Sequence, residues 1–318
     1  SGGVMAGGVM EGSVGLREAF ESSQRLTRAS RTNFYYPILL LPARRREALI
    51  SVYAFCRATD DLADEPDRTG SRAERIAAWR EELARTYEGR PGQSITRSLR
   101  SAILRFHLPK AHFDDLISGV EMDTIQNRYT TFQDLYTYCY RVASTVGLIC
   151  IEIFGYRDPG ARRYAEDLGV ALQLTNILRD IRADAARDRI YLPLEDLERF
   201  GCTEEEILAG STSSSFEALM QFECDRARSY YRKAWESLPR VDRSSLLAAE
   251  AMGRIYYEIL RSIERRGYDV YSDRVRIPAV RKAGIAAEVW LRKLLGLSRG
   301  WPPGLDDSRH EPRSHRVP

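Results

Sequence analysis

The chain has 318 residues, 43% of them hydrophobic and 29% charged, and a formal net charge of +3. That length can bury a sizeable core, while so mild and dispersed a positive charge argues against a nucleic-acid binder. Cys56, Cys139, Cys150, Cys202 and Cys224 form no C-x-x-C pair, which speaks against a zinc finger or a dithiol redox motif and for reduced core cysteines in a cytoplasmic protein.

In chain order, residues 1–15 are rich in Gly, Val and Met and lack the charged region and apolar run of a signal peptide; they read as a disordered or appended start. Residues 16–297 read as one all-helical domain. Apolar residues recur with helical period, and strand alternation is scarce. Helices are expected over 43–64, 72–87, 94–106, 110–126, 131–154, 159–186, 204–208, 216–237, 243–266 and 278–297, with breaks at Pro66, Gly89, Pro109, Gly155, Pro193, Gly201, Pro239 and Gly267. His107 and His112 flank Pro109-Lys110 without a third ligand and read as surface histidines. Arg226, Arg228, Arg232 and Lys233 read as a solvated helix face. From Ser298 the chain turns Pro-, Arg- and Asp-rich, so residues 298–318 are expected to be a disordered tail. No apolar run reaches the roughly 18 residues of a bilayer span; Val146 to Phe154, the richest, contains Glu152. A lipid substrate would therefore be met from the membrane surface.

One feature recurs, an Asp-x-x-x-Asp on a helix, at Asp60 and again at Asp180. Between Leu168 and Asp184 a helix places Gln173, Asn176, Asp180 and Asp184 within about 80° of one another. Leu168, Val170, Leu174, Ile177, Leu178 and Ile181 cover much of the remaining surface. A helix apolar over most of its circumference is normally buried, so its polar stripe should line an internal cavity. Tyr53, Arg57, Asp60 and Asp64, spaced four, three and four apart, repeat the pattern. Carboxylates at i and i+4 repel, and in a cavity they need cations. Mg²⁺ suits them: it takes one or two protein carboxylates, keeps waters and bridges to phosphate oxygens. Mn²⁺ could replace it. Neither an EF-hand loop, a G-x-G-x-x-G after a strand nor a P-loop is present.

The runs Tyr53 to Glu65, Leu172 to Asp184 and Arg189-Ile-Tyr-Leu-Pro193 resemble the two signatures of the squalene/phytoene synthase family, and Tyr138 to Gly147 resembles its central motif. The likeness spans roughly residues 33–282 and looks strongest toward the presqualene diphosphate synthases of bacterial hopanoid pathways, with phytoene synthase close behind. It implies an all-α isoprenoid synthase bundle around a central cavity. It implies that Asp60, Asp64, Asp180 and Asp184 bind metal, and that Gln173, Asn176, Arg57 and Arg179 line the diphosphate site. Tyr138 would act in the proton and carbocation chemistry, and Tyr53 and Tyr268 would be further cavity positions. Ser144, Ala183 and Asp188 depart from the family's usual Gly, acidic residue and Gly, and residues 30–34 depart from its Ser-rich entrance.

The implied activity is head-to-head condensation of two farnesyl diphosphates to presqualene diphosphate, with Mg²⁺ and without NADPH. The implied location is cytoplasmic, with peripheral membrane contact allowed and no obligate protein partner. Phytoene synthase, acting on two geranylgeranyl diphosphates, is the alternative. A head-to-tail elongating synthase is disfavoured by the run from Gln173 to Pro193. A non-catalytic helical scaffold is disfavoured by two intact Asp pairs.

Overall fold

Every regular element among the described residues is a helix, apart from one isolated bridge between Arg128 and Ile190. The computed structural model describes residues 33, 35–64 and 71–296. The expected disordered start and tail lie outside that range.

The chain builds α1 (Tyr35–Leu39), α2 (Ala43–Asp64), α3 (Arg72–Glu88), α4 (Ser94–Phe106) and α5 (Lys110–Ile125). A central rod follows: α6 (Phe132–Cys139), a π-helical turn (Tyr140–Ser144) and α7 (Thr145–Phe154). Then come α8 (Gly160–Ala185), α9 (Leu194–Phe200), α10 (Glu204–Ala209), α11 (Ser214–Ser237), α12 (Leu247–Arg265) and α13 (Ala279–Leu294). Local chemistry sets the ends. Ser71 with Glu74, Thr131 with Asp134 and Thr203 with Glu206 form capping boxes, and Gly89, Gly201 and Gly210 close helices in the left-handed conformation.

The rod and α8 form the middle of the molecule. Half of the 26 residues of α8 are buried, most of them in its largely apolar middle from Leu168 to Ile181. It packs against α7, α11 and α12. The rod is long and apolar enough to cross a membrane by composition alone, but its π-turn is packed between α5 and α8. A Cβ on Gly169 of α8 would lie 2.5 Å from Ser144 Cα, and one on Gly119 of α5 would lie 2.6 Å from Val142 Cγ1. Only glycine permits these approaches. The Ser144 hydroxyl donates to the Glu166 carbonyl at 2.7 Å. On the other side of the bundle, Phe55 stacks on Trp79 and meets Phe113 edge-on.

Several expectations change. The helix expected over 131–154 is broken by the π-turn, and α1 and α9 are additional. His112 is buried on α5, so it is no surface histidine. Arg226 and Arg228 are largely buried in ion pairs, with Asp196 and Glu223 and with Asp225 and Glu264; the solvated-face reading does not hold for them.

Candidate active site

The two carboxylate stripes open on one cavity. Tyr53, Arg57 and Asp60 of α2 line it with Gln173, Asn176, Asp180 and Asp184 of α8, and its volume is about 1250 Å³. An apolar arm of about 240 Å³ continues from it, sharing Tyr53, Arg57, Asp60, Gln173 and Asn176 and reaching Leu168, Ala165, Tyr164 and Phe154. From Asn176 to Ala165 the arm follows α8 for about 16 Å at the helical rise. A polar, strongly charged chamber thus leads into a narrow greasy sleeve.

The α8 stripe is not electrically uniform. Burial alone would raise the pKa of Asp180, but two guanidiniums overcome it and hold the carboxyl below its ordinary range. Arg179 donates to both oxygens at 3.0 and 2.6 Å, and Arg274, arriving from the segment after α12, donates at 2.8 and 2.9 Å. One turn on, Asp184 lies in the opposite regime. Burial first, then the neighbouring charges of Asp180 and Asp123, push it up to about 7 against the pull of Arg189 and Arg187. Nearby Asn176 donates to Gln173 Oε1 at 3.4 Å, and its own buried carbonyl oxygen has no hydrogen-bond partner. An under-compensated carboxylate and an orphaned oxygen on one helix face are the donor set a hard cation wants.

On α2, Arg57 pairs with Asp61 at 2.8 Å rather than with Asp60. Asp64 is the last residue of that helix, and its side chain lies outside the described residues. Among the described residues no three acidic, His or Cys side chains come close enough to hold a metal by protein ligands alone. That donor set fits Mg²⁺, which completes its shell with water and phosphate oxygens, and does not fit an all-protein cage.

Tyr138 projects from α6 into the chamber and donates to Asp123 Oδ2 at 2.9 Å. Tyr191 donates to Asp123 Oδ1 at 2.7 Å, and Arg189 donates to the Asp123 carbonyl at 3.1 Å. Tyr138 and Tyr191 are stacked, with ring centroids 5.2 Å apart. Burial, with Asp123 and Tyr191, pushes the Tyr138 hydroxyl well above the ordinary phenol range. The resting Tyr138 is therefore a neutral donor.

Sequence reasoning missed Asp123, Tyr191, Arg274, Arg276 and Lys282, all of which line the chamber. Tyr268 is a correction. It follows Gly267 in the turn after α12, with φ of 64°, and lines neither cavity; Tyr256, twelve residues earlier on α12, lines both.

Comparison with known proteins agrees with this architecture. A model of the squalene/phytoene synthase family matches residues 27–281. A 15-cis-phytoene synthase of Synechococcus elongatus is 38% identical over 279 residues, 84% of this chain and 91% of its own. A phytoene synthase of Mycobacterium tuberculosis is 35% identical over 275 residues, 86% and 90% of the two chains. Among solved structures, a dehydrosqualene synthase superposes with a TM-score of 0.80 at 28% identity, covering 87% of this chain and 98% of that one. A squalene synthase of Alicyclobacillus acidocaldarius superposes with a TM-score of 0.72 at 34% identity, covering 80% and 96%. With sequence, fold and chamber in accord, this prenyltransferase belongs to the squalene/phytoene synthase family.

Proposed function

We propose that the protein joins two farnesyl diphosphates head to head, forming presqualene diphosphate and releasing one diphosphate. The observation that carries this reading is the charged chamber opening on a slender apolar arm. At about 240 Å³ the arm falls below the roughly 300–1,000 Å³ usual for ligand sites. Its apolar lining suits one prenyl chain, and a chain longer than the arm would overpack its end, at a cost of about 1–3 kcal/mol. The second chain and both diphosphates belong to the larger chamber.

Asp60, Asp64, Asp180 and Asp184 would hold Mg²⁺, which supplies charge compensation to the diphosphate. Arg57, Arg276 and Lys282 donate to the phosphate oxygens, and Arg274 joins them by leaving Asp180. As the C1–O bond breaks, its electron pair leaves with the diphosphate. The resulting allylic cation is shielded from water by the arm and by the faces of Tyr53, Tyr138 and Tyr256. The double bond of the second substrate attacks it, and loss of one proton closes the cyclopropane. Tyr138 accepts that proton only as it passes its own to Asp123, so the pair ends as a neutral phenol and a neutral acid. The departing diphosphate is the competing acceptor. No step calls for NADPH. The substrates are drawn from a membrane surface by a cytoplasmic protein.

A second reading, condensation of two geranylgeranyl diphosphates to phytoene, is favoured by the names of the relatives at 38% and 35% identity. One experiment separates the two. Purified protein is given farnesyl or geranylgeranyl diphosphate with Mg²⁺, with and without NADPH, and the products are identified. Presqualene diphosphate from farnesyl diphosphate, unchanged by NADPH, is expected; preferential formation of phytoene overturns the chain-length assignment.

A further inference from the structure

The apolar arm has a mouth and a far end, and four helices agree on which is which. Asp60 of α2, Asn176 of α8 and Tyr256 of α12 line both the arm and the chamber, so they mark the mouth. On each helix the lining residues then run away from it: back to Leu49 on α2, to Tyr164 on α8 and to Ala248 on α12, and forward to Phe154 on α7. All four finish at one end of the bundle, where the turn between α7 and α8 crosses. That turn is pinned. Asp242, 1% exposed just before α12, accepts from the Arg157 and Asp158 amides at 2.8 and 2.9 Å. Gly155, with φ of 75°, turns the chain out of α7 beside Arg45 of α2, whose Nη2 an added Cβ would meet at 3.4 Å.

The row of α7 that faces the arm is small until it ends. Gly147, Cys150 and Phe154 all line the arm and fall within about 60° of one another. The facing walls are small too, through Ala165 and Gly169 of α8 and Ala248 and Ala249 of α12. Phe154 is thus the first large side chain met head-on by a ligand that follows α7 inward. Its ring, 3% exposed, fills the end. Tyr164, at the same depth, is turned about 100° from Ala165 on α8, so it walls the end from the side.

We infer that Phe154 is a specificity-determining residue, its ring the stop that sets the longest prenyl chain the arm admits; the assignment rests on the prenyltransferase reading above. A prenyl chain lengthens by one isoprene unit at a time at constant width. The arm cannot lengthen with it, because the turn pinned on Asp242 holds Phe154 from behind. A chain one unit too long must displace the ring or draw its C1 away from the aspartates at the mouth. The first overpacks the core, and the second spoils the alignment for reaction.

The test compares kcat/KM for geranyl, farnesyl and geranylgeranyl diphosphates with Mg²⁺. The wild type is set beside Phe154→Ala, which deletes the stop, and Cys150→Leu, which raises it by one helical turn. The ring lost and the isoprene unit gained are of nearly the same size. Phe154→Ala is therefore expected to raise the geranylgeranyl-to-farnesyl ratio about tenfold. Cys150→Leu should move preference the other way, raising the geranyl-to-farnesyl ratio by a similar factor. Circular dichroism melting verifies that each variant folds, and Phe154→Leu replaces Phe154→Ala if the latter does not. Unchanged ratios in folded variants overturn the assignment. So does an equal loss of kcat/KM at every chain length, which is what a merely structural role would give. The preference of the wild type tests the functional reading separately. If it favours geranylgeranyl diphosphate, the farnesyl reading fails, and the stop is judged by the same shift one unit up, with geranylfarnesyl diphosphate. If it turns over none of them, calorimetric binding of unreactive thiolodiphosphate analogues of the same chain lengths supplies the ratios that decide.

Discussion

Asp123 decides what Tyr138 can do. A phenol whose proton is committed to a carboxylate 2.9 Å away cannot start as a base, so any proton it takes must be matched by one it gives. On that footing Tyr138→Phe and Asp123→Asn should damage the same step. Each is expected to lower kcat for condensation by about 10²-fold, the usual scale of acid–base assistance. KM should change little, because the ring and the chamber wall are kept. An Asp123→Asn enzyme with unaltered kcat would remove the relay and leave the diphosphate as proton acceptor. Asp60, Asp180 and Asp184 were legible as cavity-lining residues because carboxylates at that spacing, two of them on an apolar helix, have few other uses. Asp123 was not: its partners Tyr138 and Tyr191 come from 15 and 68 residues along the chain, a convergence that no local pattern encodes. Arg274 reaches Asp180 across 94 residues and was invisible for the same reason. Tyr256 and Tyr268 sit on either side of a helix end, and only the fold tells which of them faces inward.

At the scale of elements, the rod from Phe132 to Phe154 is positioned by glycines on its neighbours rather than by its own propensities. Its pattern reads as one helix, and the capping box at Thr131 places its start correctly. The π-turn at Tyr140–Ser144 is a tertiary feature. Widened turns of this kind recur at functional sites, and this one begins two residues after Tyr138. Gly169→Ala would bring a methyl to 2.5 Å from Ser144 Cα and 2.6 Å from its nitrogen, both backbone atoms that cannot swing aside. The rod must shift, at a cost of about 1–3 kcal/mol, and Tyr138 shifts with it. A lower Tm and a lower condensation rate are expected together. Gly284→Ala is the control: nothing lies within 4 Å of the added Cβ, so thermal denaturation should show it neutral or stabilised by up to about 1 kcal/mol. Equal Tm values for both variants would show that the rod is not held by this contact. The short α9 escaped sequence reading because seven residues between Pro193 and Gly201 are too few to show a period.

Across the whole molecule, the chamber depends on a scaffold that is itself charged inside. Away from the chamber, Arg226 of α11 bridges Asp196 of α9 and Glu223 of its own helix at 2.7 Å each, and its guanidinium lies over the rings of Phe132 and Phe222. Two buried carboxylates face one cation, so the cluster is short of positive charge. Burial is the largest influence on Glu223. Arg226 opposes it, Asp196 adds to it, and the carboxyl is pushed up to about 8. In the unfolded chain the same group titrates near about 4.3. Between those two values the folded state holds a proton that the unfolded state has lost, so stability falls as pH rises through the window. Glu223→Gln replaces the protonated acid with a neutral amide of the same shape. It should fold, keep its hydrogen bond to Arg226's neighbourhood, and lose that part of the pH dependence. Calorimetric Tm values from pH 5 to pH 9 are expected to decline more steeply for the wild type than for the variant, the two curves converging at the acid end where Glu223 is already neutral. Parallel curves across the whole range would mean that Arg226 keeps Glu223 ionised in the folded state.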